Sequence, residues 1–326
     1  MLKKIGMSKP ADTQRSALLK GLTGLSQAIN WNRMSGHPPA AVLAAHFFCQ
    51  ENGLEPGVQK EVQALVDRLV SGSASIWHTV DGQPVTNEAL FSHPISGSPD
   101  EKRIPEVANA LEASLAACRD SGHNTIFASL ALKALHAAPE YALPPLIDGI
   151  LRLLKDFEGR GPGFAHLPGQ DQLVDPRELP VPEDLDLPEY TSTADMIAAV
   201  CCHVSPRRFA IRGLGGPIHV INHAVALLDL EASGYAALAR QGLNAHHQHL
   251  KMWLSLPPFP EYENAYLVPT LHDPRSKAYW DEGITLRDQG GIEHRLKFLY
   301  GAYRFAARIE DESDRRVFLA NAAHLF

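Results

Sequence analysis

Four histidines occupy equivalent places in the chain: each follows a glycine-containing turn and opens a stretch of helical periodicity. They occur as Gly36-His37, Gly122-His123, Gly215-Gly216-Pro217-Ile218-His219 and Gly290-Gly291-Ile292-Glu293-His294. A lone histidine at a helix start usually bonds a backbone group or faces solvent. Recurrence changes that reading. If the helices they open form the inner wall of a bundle, their first turns lie at one end and the four imidazoles converge there. Imidazoles pressed together without a cation repel as they protonate, so such a set calls for a divalent metal. The positive end of a helix dipole disfavours a cation by roughly 0.3–1 kcal/mol, but it also holds imidazole neutral and able to ligate.

His294 is followed three residues later by Lys297, and residues at i and i+3 share a helix face. A lysine between Leu296 and Phe298 ordinarily snorkels to water. Turned inward beside a metal, its amine must be neutral. Reaction with carbon dioxide would then make it a carbamate, a hard anionic oxygen ligand.

Other residues compete for the same chemistry. His219 and His223 stand at i and i+4, a spacing that seats two imidazoles on one metal, but Val220 stands where the zincin pattern has glutamate. His223 is a reserve ligand. His246, His247 and His249 are too dense to face one way on a helix, so a surface or hairpin-packing role is expected. His272-Asp273 resembles a phosphohydrolase dipeptide, but Pro274 follows it and argues against the helix that motif needs. Walker, GxSxG, kinase and GxGxxG sequences and terpene-cyclase aspartate clusters are all absent. Phe127, Trp253, Tyr300 and Tyr303 are candidates for an aromatic wall that stacks a planar substrate.

The elements that must position these residues are helices. Apolar residues recur at helical spacing through most of the chain, and period-two alternation rich in Val, Ile and Thr is nearly missing. Short Gly, Pro or charged turns join segments 38–50 and 58–70, 124–136 and 143–157, 218–230 and 235–254, and 294–309 and 313–324 into four helical hairpins. Their unequal spacing excludes a short-period solenoid, and 105–119 and 195–203 read as extra helices. The segment 158–190 is too rich in Gly, Pro and Asp for a helix and reads as a long ordered loop or lid. Residues 73–104 and 255–292 are likewise irregular, with aromatic residues able to close over a site. The expectation is all-α: one large domain, residues 1–326, of repeated hairpins in a bundle or toroid-like array with long irregular loops, and with 1–20 a flexible N-terminal segment.

Composition narrows the partners. With 326 residues, 45% of them hydrophobic, the chain can build a substantial core. Its longest apolar stretches fall well short of the roughly 20 residues a membrane span needs, so no membrane partner is expected. The basic N-terminus lacks the apolar core of a secretory signal, which points to the cytoplasm. A net charge of −7 with scattered basic residues argues against nucleic acid and leaves a small molecule as the partner. Cys49 and Cys118 are isolated, and the adjacent Cys201 and Cys202 read as small buried hydrophobes.

The segments SGHPPAAVLAAHF, SGHNTIFASLALKAL, GGPIHVINHAVALL and especially IEHRLKFLYGAYRFA, followed by RRVFLANAA, resemble the questin oxidase-like family, helical enzymes that oxidatively open anthraquinone-type rings. The resemblance touches all four hairpins and implies a non-haem iron held by His37, His123, His219 and His294 with Lys297 as carboxylated lysine, His294 and Lys297 forming the most specific match. A carbamate among neutral imidazoles lowers the charge on Fe(II) and favours Fe(III) as oxygen is reduced, with a displaceable position still required for dioxygen. The function expected is therefore an oxygen-dependent oxidoreductase, a ring-cleaving or Baeyer-Villiger-like oxygenase, acting on a planar aromatic or polyketide-like compound. NADPH as electron donor is implied by the family alone. Two alternatives stay open: a zinc-dependent hydrolase or lyase, and a helical binding or scaffold protein whose histidines only cap and pack.

Overall fold

Two kinds of helix follow from two kinds of sequence. In the computed structural model, which describes residues 10–72, 79–80, 83–84, 87–92, 96–262, 266, 268–282 and 291–326, four helices are buried along most of their length: α2 (His37–Glu51), α6 (His123–Ala137), α9 (Gly216–Ala232) and α12 (Ile292–Ala306). A helix apolar on nearly every side has no face to offer water and must be enclosed by others. The enclosing helices carry one apolar stripe each. On α7 (Pro144–Lys155) it is Leu146, Ile147, Ile150, Leu153 and Leu154, and on α3 (Pro56–Val70) Val58, Val62, Val66 and Leu69.

The four buried helices close a ring in which α2 packs on α6, α6 on α9, α9 on α12 and α12 back on α2. Around it, α1 (Pro10–Ala28) and α3 cover α2, and α5 (Ile104–Leu115) covers α6 and meets α7. Helices α8 (Thr193–His203) and α10 (Ala236–Leu254) cover α9, and α13 (Glu312–Ala322) covers α12. The short helices α4 (Asn87–Phe91) and α11 (Lys277–Asp281) complete the set among the described residues. One contiguous core runs from Leu18 to Phe326 through every hairpin. Fully burying a large side chain such as Phe127 or Phe305 contributes roughly 1.5–3 kcal/mol, so the ring and its cover are one cooperative unit.

The expected all-α class and all four hairpins are present, with boundaries shifted by a few residues at most. One expectation, for the vicinal cysteines, needs correction. From Pro10 the chain is helical, and Leu18, Leu22 and Leu25 are buried where α1 meets α2 and α7. Residues 1–9 lie outside the described part, as do several residues of the segments read as irregular around 73–104 and 255–292. Of the two vicinal cysteines, Cys202 is exposed and Cys201 only half-buried, because α8 lies on the outside of the ring.

The segment 158–190 contains no α-helix. It folds back as two short antiparallel strands, Ala165–His166 and Leu173–Val174, and a single 3-10 turn at Pro176–Glu178. Its first residues act as a brace. The Gly161 and Pro162 carbonyls accept the backbone N–H groups of Asp120 and Ser121, in the turn that introduces α6.

Candidate metal centre

The turns ahead of the ring helices carry most of the backbone strain. Among the described residues only Asp120, Ser121 and Leu214 combine a side chain with positive φ, at 41°, 60° and 49°. All three stand in the turns that deliver His123 and His219. Each such residue costs of order 1–3 kcal/mol and persists only where its surroundings over-determine it. The surroundings do so here. Arg33, in the 3-10 turn that leads into His37, pairs with the Asp120 carboxylate and also reaches Asp156. The Asp120 carbonyl in turn accepts the Nδ1–H of His123. Gly215, at φ 70°, has no room for a side chain, since a Cβ there would sit 2.1 Å from the His219 ring.

The result is a square of imidazoles following the order of the helices. Ring centroids lie 4.5 Å apart for His37 and His123, 4.7 Å for His123 and His219, 5.0 Å for His219 and His294, and 4.8 Å for His294 and His37. The His37–His219 diagonal is 5.8 Å. One nitrogen each of His37, His219 and His294 lies within 4.8 Å of the others, a spacing able to hold a metal ion, and His123 joins through His219. Because all four N-terminal turns meet here, the ring helices run away from the site in one direction, with their positive ends towards it.

Tautomers make the case for a cation sharper. His123 Nδ1–H donates to the Asp120 carbonyl and His219 Nδ1–H to the Gly215 carbonyl, the latter at 2.9 Å. Each neutral ring therefore keeps its lone pair on Nε2. Those two Nε2 atoms face each other at 3.0 Å. Two lone pairs at that distance repel unless a proton or a metal lies between or beside them. A proton is disfavoured: burial above all holds His37, His123 and His219 well below the usual histidine range, helped by Lys297 and neighbouring imidazoles. The donor set therefore fits a metal.

Lys297 points inward, against the ordinary habit of a lysine. It is 2% exposed, and its Nζ lies 2.6 Å from His37 Nδ1. Burial lowers its pKa to about 7, opposed by the nearby Glu293 carboxylate, so much of the amine is neutral near pH 7. Glu293, buried beside His294, was not singled out from the sequence; its place within the Ile-Glu-His opening of α12 was the available signal.

A cleft of about 230 Å³ reaches the site from outside, and His219 and His294 form part of its wall. None of the four aromatic residues expected at that wall lines it. Phe127 packs behind the site on His37 and His123, at 5.8 and 5.4 Å. Trp253 is wholly buried and donates its indole N–H to the Ile211 carbonyl, backing the wall from inside. Tyr303 donates to Asp273 at 2.6 Å and stacks on Phe326. Tyr300 points into a buried network that the sequence reading missed, in which its hydroxyl donates to Asp229 while Lys133 and Arg304 pair with the same carboxylate. The cleft uses Phe209 and Tyr266 instead. Only tertiary contact could reveal this, because Arg304, Asp229 and Lys133 stand on three different ring helices.

A second histidine group lies alongside. His223, His246 and His249 are fully buried, which excludes the surface role and leaves the packing of α9 on α10. His246 and His249 donate Nε2–H to the Val220 and Leu214 carbonyls, at 3.0 and 2.9 Å. That leaves His249 Nδ1 free to accept the Nδ1–H of His223 at 3.3 Å. His247 donates to the Leu187 carbonyl and is nearly buried. His223, the reserve ligand, thus belongs to this second group.

His272 and Asp273 are partly exposed; His272 meets the Glu282 carboxylate at 3.1 Å, and Asp273 pairs with Arg275. Among the described residues no helix is long and apolar enough to cross a membrane. Comparison with protein-family models, curated proteins and solved structures finds no match to the chain.

Proposed function

We propose that the protein is an oxidoreductase, a non-haem-iron and oxygen-dependent oxygenase of the cytoplasm that acts on a planar aromatic or polyketide-like small molecule. His37, His123, His219 and His294 hold the metal, with Lys297 as its carbamate. The observation that carries the reading is the pair of lone-pair nitrogens, His123 Nε2 and His219 Nε2, set 3.0 Å apart in a square of imidazoles of which His37, His123 and His219 are buried and His294 half-buried. A scaffold has no use for that arrangement, nor for strained turns in front of two of its members. The likeness of all four histidine segments to the questin oxidase-like family supports iron over zinc.

In this reading the chain's own residues have distinct tasks. The Asp120 and Gly215 carbonyls fix the tautomer and aim of two ligands, as outer-shell acceptors commonly do for metal-bound histidine. Burial lowers the Lys297 pKa to about 7, so the neutral share of its amine can add carbon dioxide with loss of one proton and become anionic without a carboxylate side chain. Phe127 closes the inner side and excludes water behind His37 and His123. Iron, when bound, supplies the one-electron chemistry that dioxygen requires.

Elemental analysis of freshly purified protein, with native mass measurement for a carbon dioxide adduct, tests the reading. Stoichiometric iron, an adduct lost in Lys297→Ala and oxygen consumption with an aromatic substrate are expected. Stoichiometric zinc without oxygen consumption would replace it with a hydrolase or lyase. A metal-free protein unaffected by chelators would leave a scaffold.

A further inference from the structure

Beyond the histidine square, the four ring helices enclose a second polar feature. A cavity of about 10 Å³ lies between them, and all four contribute to its lining: Ala44 of α2, Ser129 of α6, Asn222 and Asp229 of α9, and Lys297 and Tyr300 of α12. One water needs roughly 10–15 Å³. Asn222 and Lys297 each stand three residues after a histidine of the square, so the cavity begins one turn along the helices from it.

Asn222 is 6% exposed, and its Nδ2 is buried with no hydrogen-bond partner. The carboxamide is seated against α12 where Gly301 has no side chain, since a Cβ there would lie 2.1 Å from Asn222 Oδ1. A buried amide N–H is ordinarily met by protein or by ordered water. Ser129, Lys297 and Tyr300 around the same space bring the partners to the roughly two to four that such a water takes.

The cavity also stands between two hydrogen-bonded systems. On one side, Lys297 Nζ lies 2.6 Å from His37 Nδ1 in the square. On the other, the Tyr300 hydroxyl donates to Asp229 and accepts from Lys133 Nζ at 2.5 Å. Lys133 pairs in turn with Glu51 at 2.5 Å, and their side chains are 15% and 29% exposed, so this end reaches solvent. Neither His37 nor Lys297 lines the outer cleft at His219 and His294.

We propose that this cavity binds one ordered water, held by Asn222, and that the water completes a proton path from Lys133, through Tyr300, to the space beside Lys297. The inference rests on the histidine square being the reacting centre, where reduction of oxygen consumes protons. In each passage Lys133 gives a proton to the Tyr300 oxygen, the hydroxyl proton turns from Asp229 to the water, and the water releases one of its own towards the square. Lys133 recovers a proton from solvent. Only N–H and O–H bonds form and break, and nothing along the path is oxidised or reduced. Burial and Asp229 hold the Tyr300 hydroxyl protonated at rest, as a relay requires.

High-resolution crystal structures, and stopped-flow oxidation of the protein loaded with ferrous ion by dioxygen, test the two halves in the wild type, Asn222→Leu, Ala44→Val and Tyr300→Phe. Asn222→Leu removes the donor, Ala44→Val fills the space from the opposite helix, and Tyr300→Phe removes only the hydroxyl. Density for one water at Asn222 Nδ2 is expected in the wild type and in Tyr300→Phe, and none in the other two. Oxidation is expected to slow about a hundredfold in all three with bound iron unchanged. The proton inventory in mixed light and heavy water should turn from curved, for several protons in flight, to linear. A dry cavity in the wild type overturns the proposal. So does a wild-type rate with a curved inventory in Tyr300→Phe or Ala44→Val, even if Asn222→Leu is slow, since Asn222 would then act without the water. Lost iron in both Tyr300→Phe and Ala44→Val overturns it too, because these residues would then only hold the square in shape. Failure of the metal reading looks different: the protein holds no iron and the path falls with it, while the water on Asn222 is still found in the wild type.

Discussion

Two groups of buried histidines lie side by side in this molecule, and they differ in where their protons go. In the packing group, a single set of tautomers lets every ring N–H of His223, His246 and His249 find an acceptor without setting two lone pairs against each other. In the square of His37, His123, His219 and His294, the backbone bonds of His123 and His219 force their lone pairs together at 3.0 Å. Residue type is the same in both, and His37, His123 and His219 are buried like the packing group, with His294 half-buried. Burial of imidazole is therefore no sign of function; the unresolved meeting of two acceptors is.

Substitution should separate the groups most widely. His219→Ala and Lys297→Ala are expected to abolish bound metal in elemental analysis, whereas His246→Ala and His249→Ala keep full metal and lower unfolding free energy by about 1–3 kcal/mol each. Metal loss in the His249→Ala protein would erase the distinction. Chelation should come next in size. A metal held at a thousandfold over its Kd contributes about 4 kcal/mol, so removing it should lower Tm markedly in the wild type and leave His219→Ala unmoved.

The turn glycines offer a finer contrast, because each guards a different group. A Cβ on Gly215 would strike His219, and one on Gly122 would come within 2.6 Å of His223. Gly215→Ala is expected to weaken metal binding by about tenfold to a hundredfold, the range for disturbed outer-shell support. Gly122→Ala should show mainly as lost stability, by roughly 1–3 kcal/mol. Competition with a chromophoric chelator and denaturant melts measure the two effects.

The smallest effect is in pH. Burial lowers His246 to about 3 and His249 to about 4, against about 6.5 in the unfolded chain. Below pH 6.5 the unfolded state binds the extra protons, so their contribution is complete above that value and is lost as pH falls towards the folded values. Each group then costs at most about 1.4 kcal/mol per pH unit in that window. Urea melts between pH 7 and pH 5 should show the slope, and His246→Gln should flatten it by one proton's worth. An unchanged slope would mean that His246 is protonated in the fold.

Much of the molecule was legible in its sequence because helices advertise themselves locally. Gly215 and Gly122 mark turns, Val58, Val62, Val66 and Leu69 mark a stripe, and the four hairpins follow. The leading histidines were legible as a set because the glycine-then-histidine pattern repeats. The aromatic wall was not. Phe127, Trp253, Tyr300 and Tyr303 are near His123, His249, Lys297 and the end of α12 in sequence, yet none of them lines the cleft at His219 and His294. Side-chain direction on a buried helix depends on which neighbour faces it, and periodicity does not say.

The sequence by itself determined that the chain is helical, that its helices pair, and that a histidine opens each leading helix, because capping, turn chemistry and apolar spacing act over a few residues. Tertiary structure alone decided that α2, α6, α9 and α12 close into a ring. It also sorted His219 from His223, one turn apart on α9, into different groups. Closure depends on which apolar faces fit, and proton placement on which carbonyls lie opposite. Both are contacts between residues far apart in the chain.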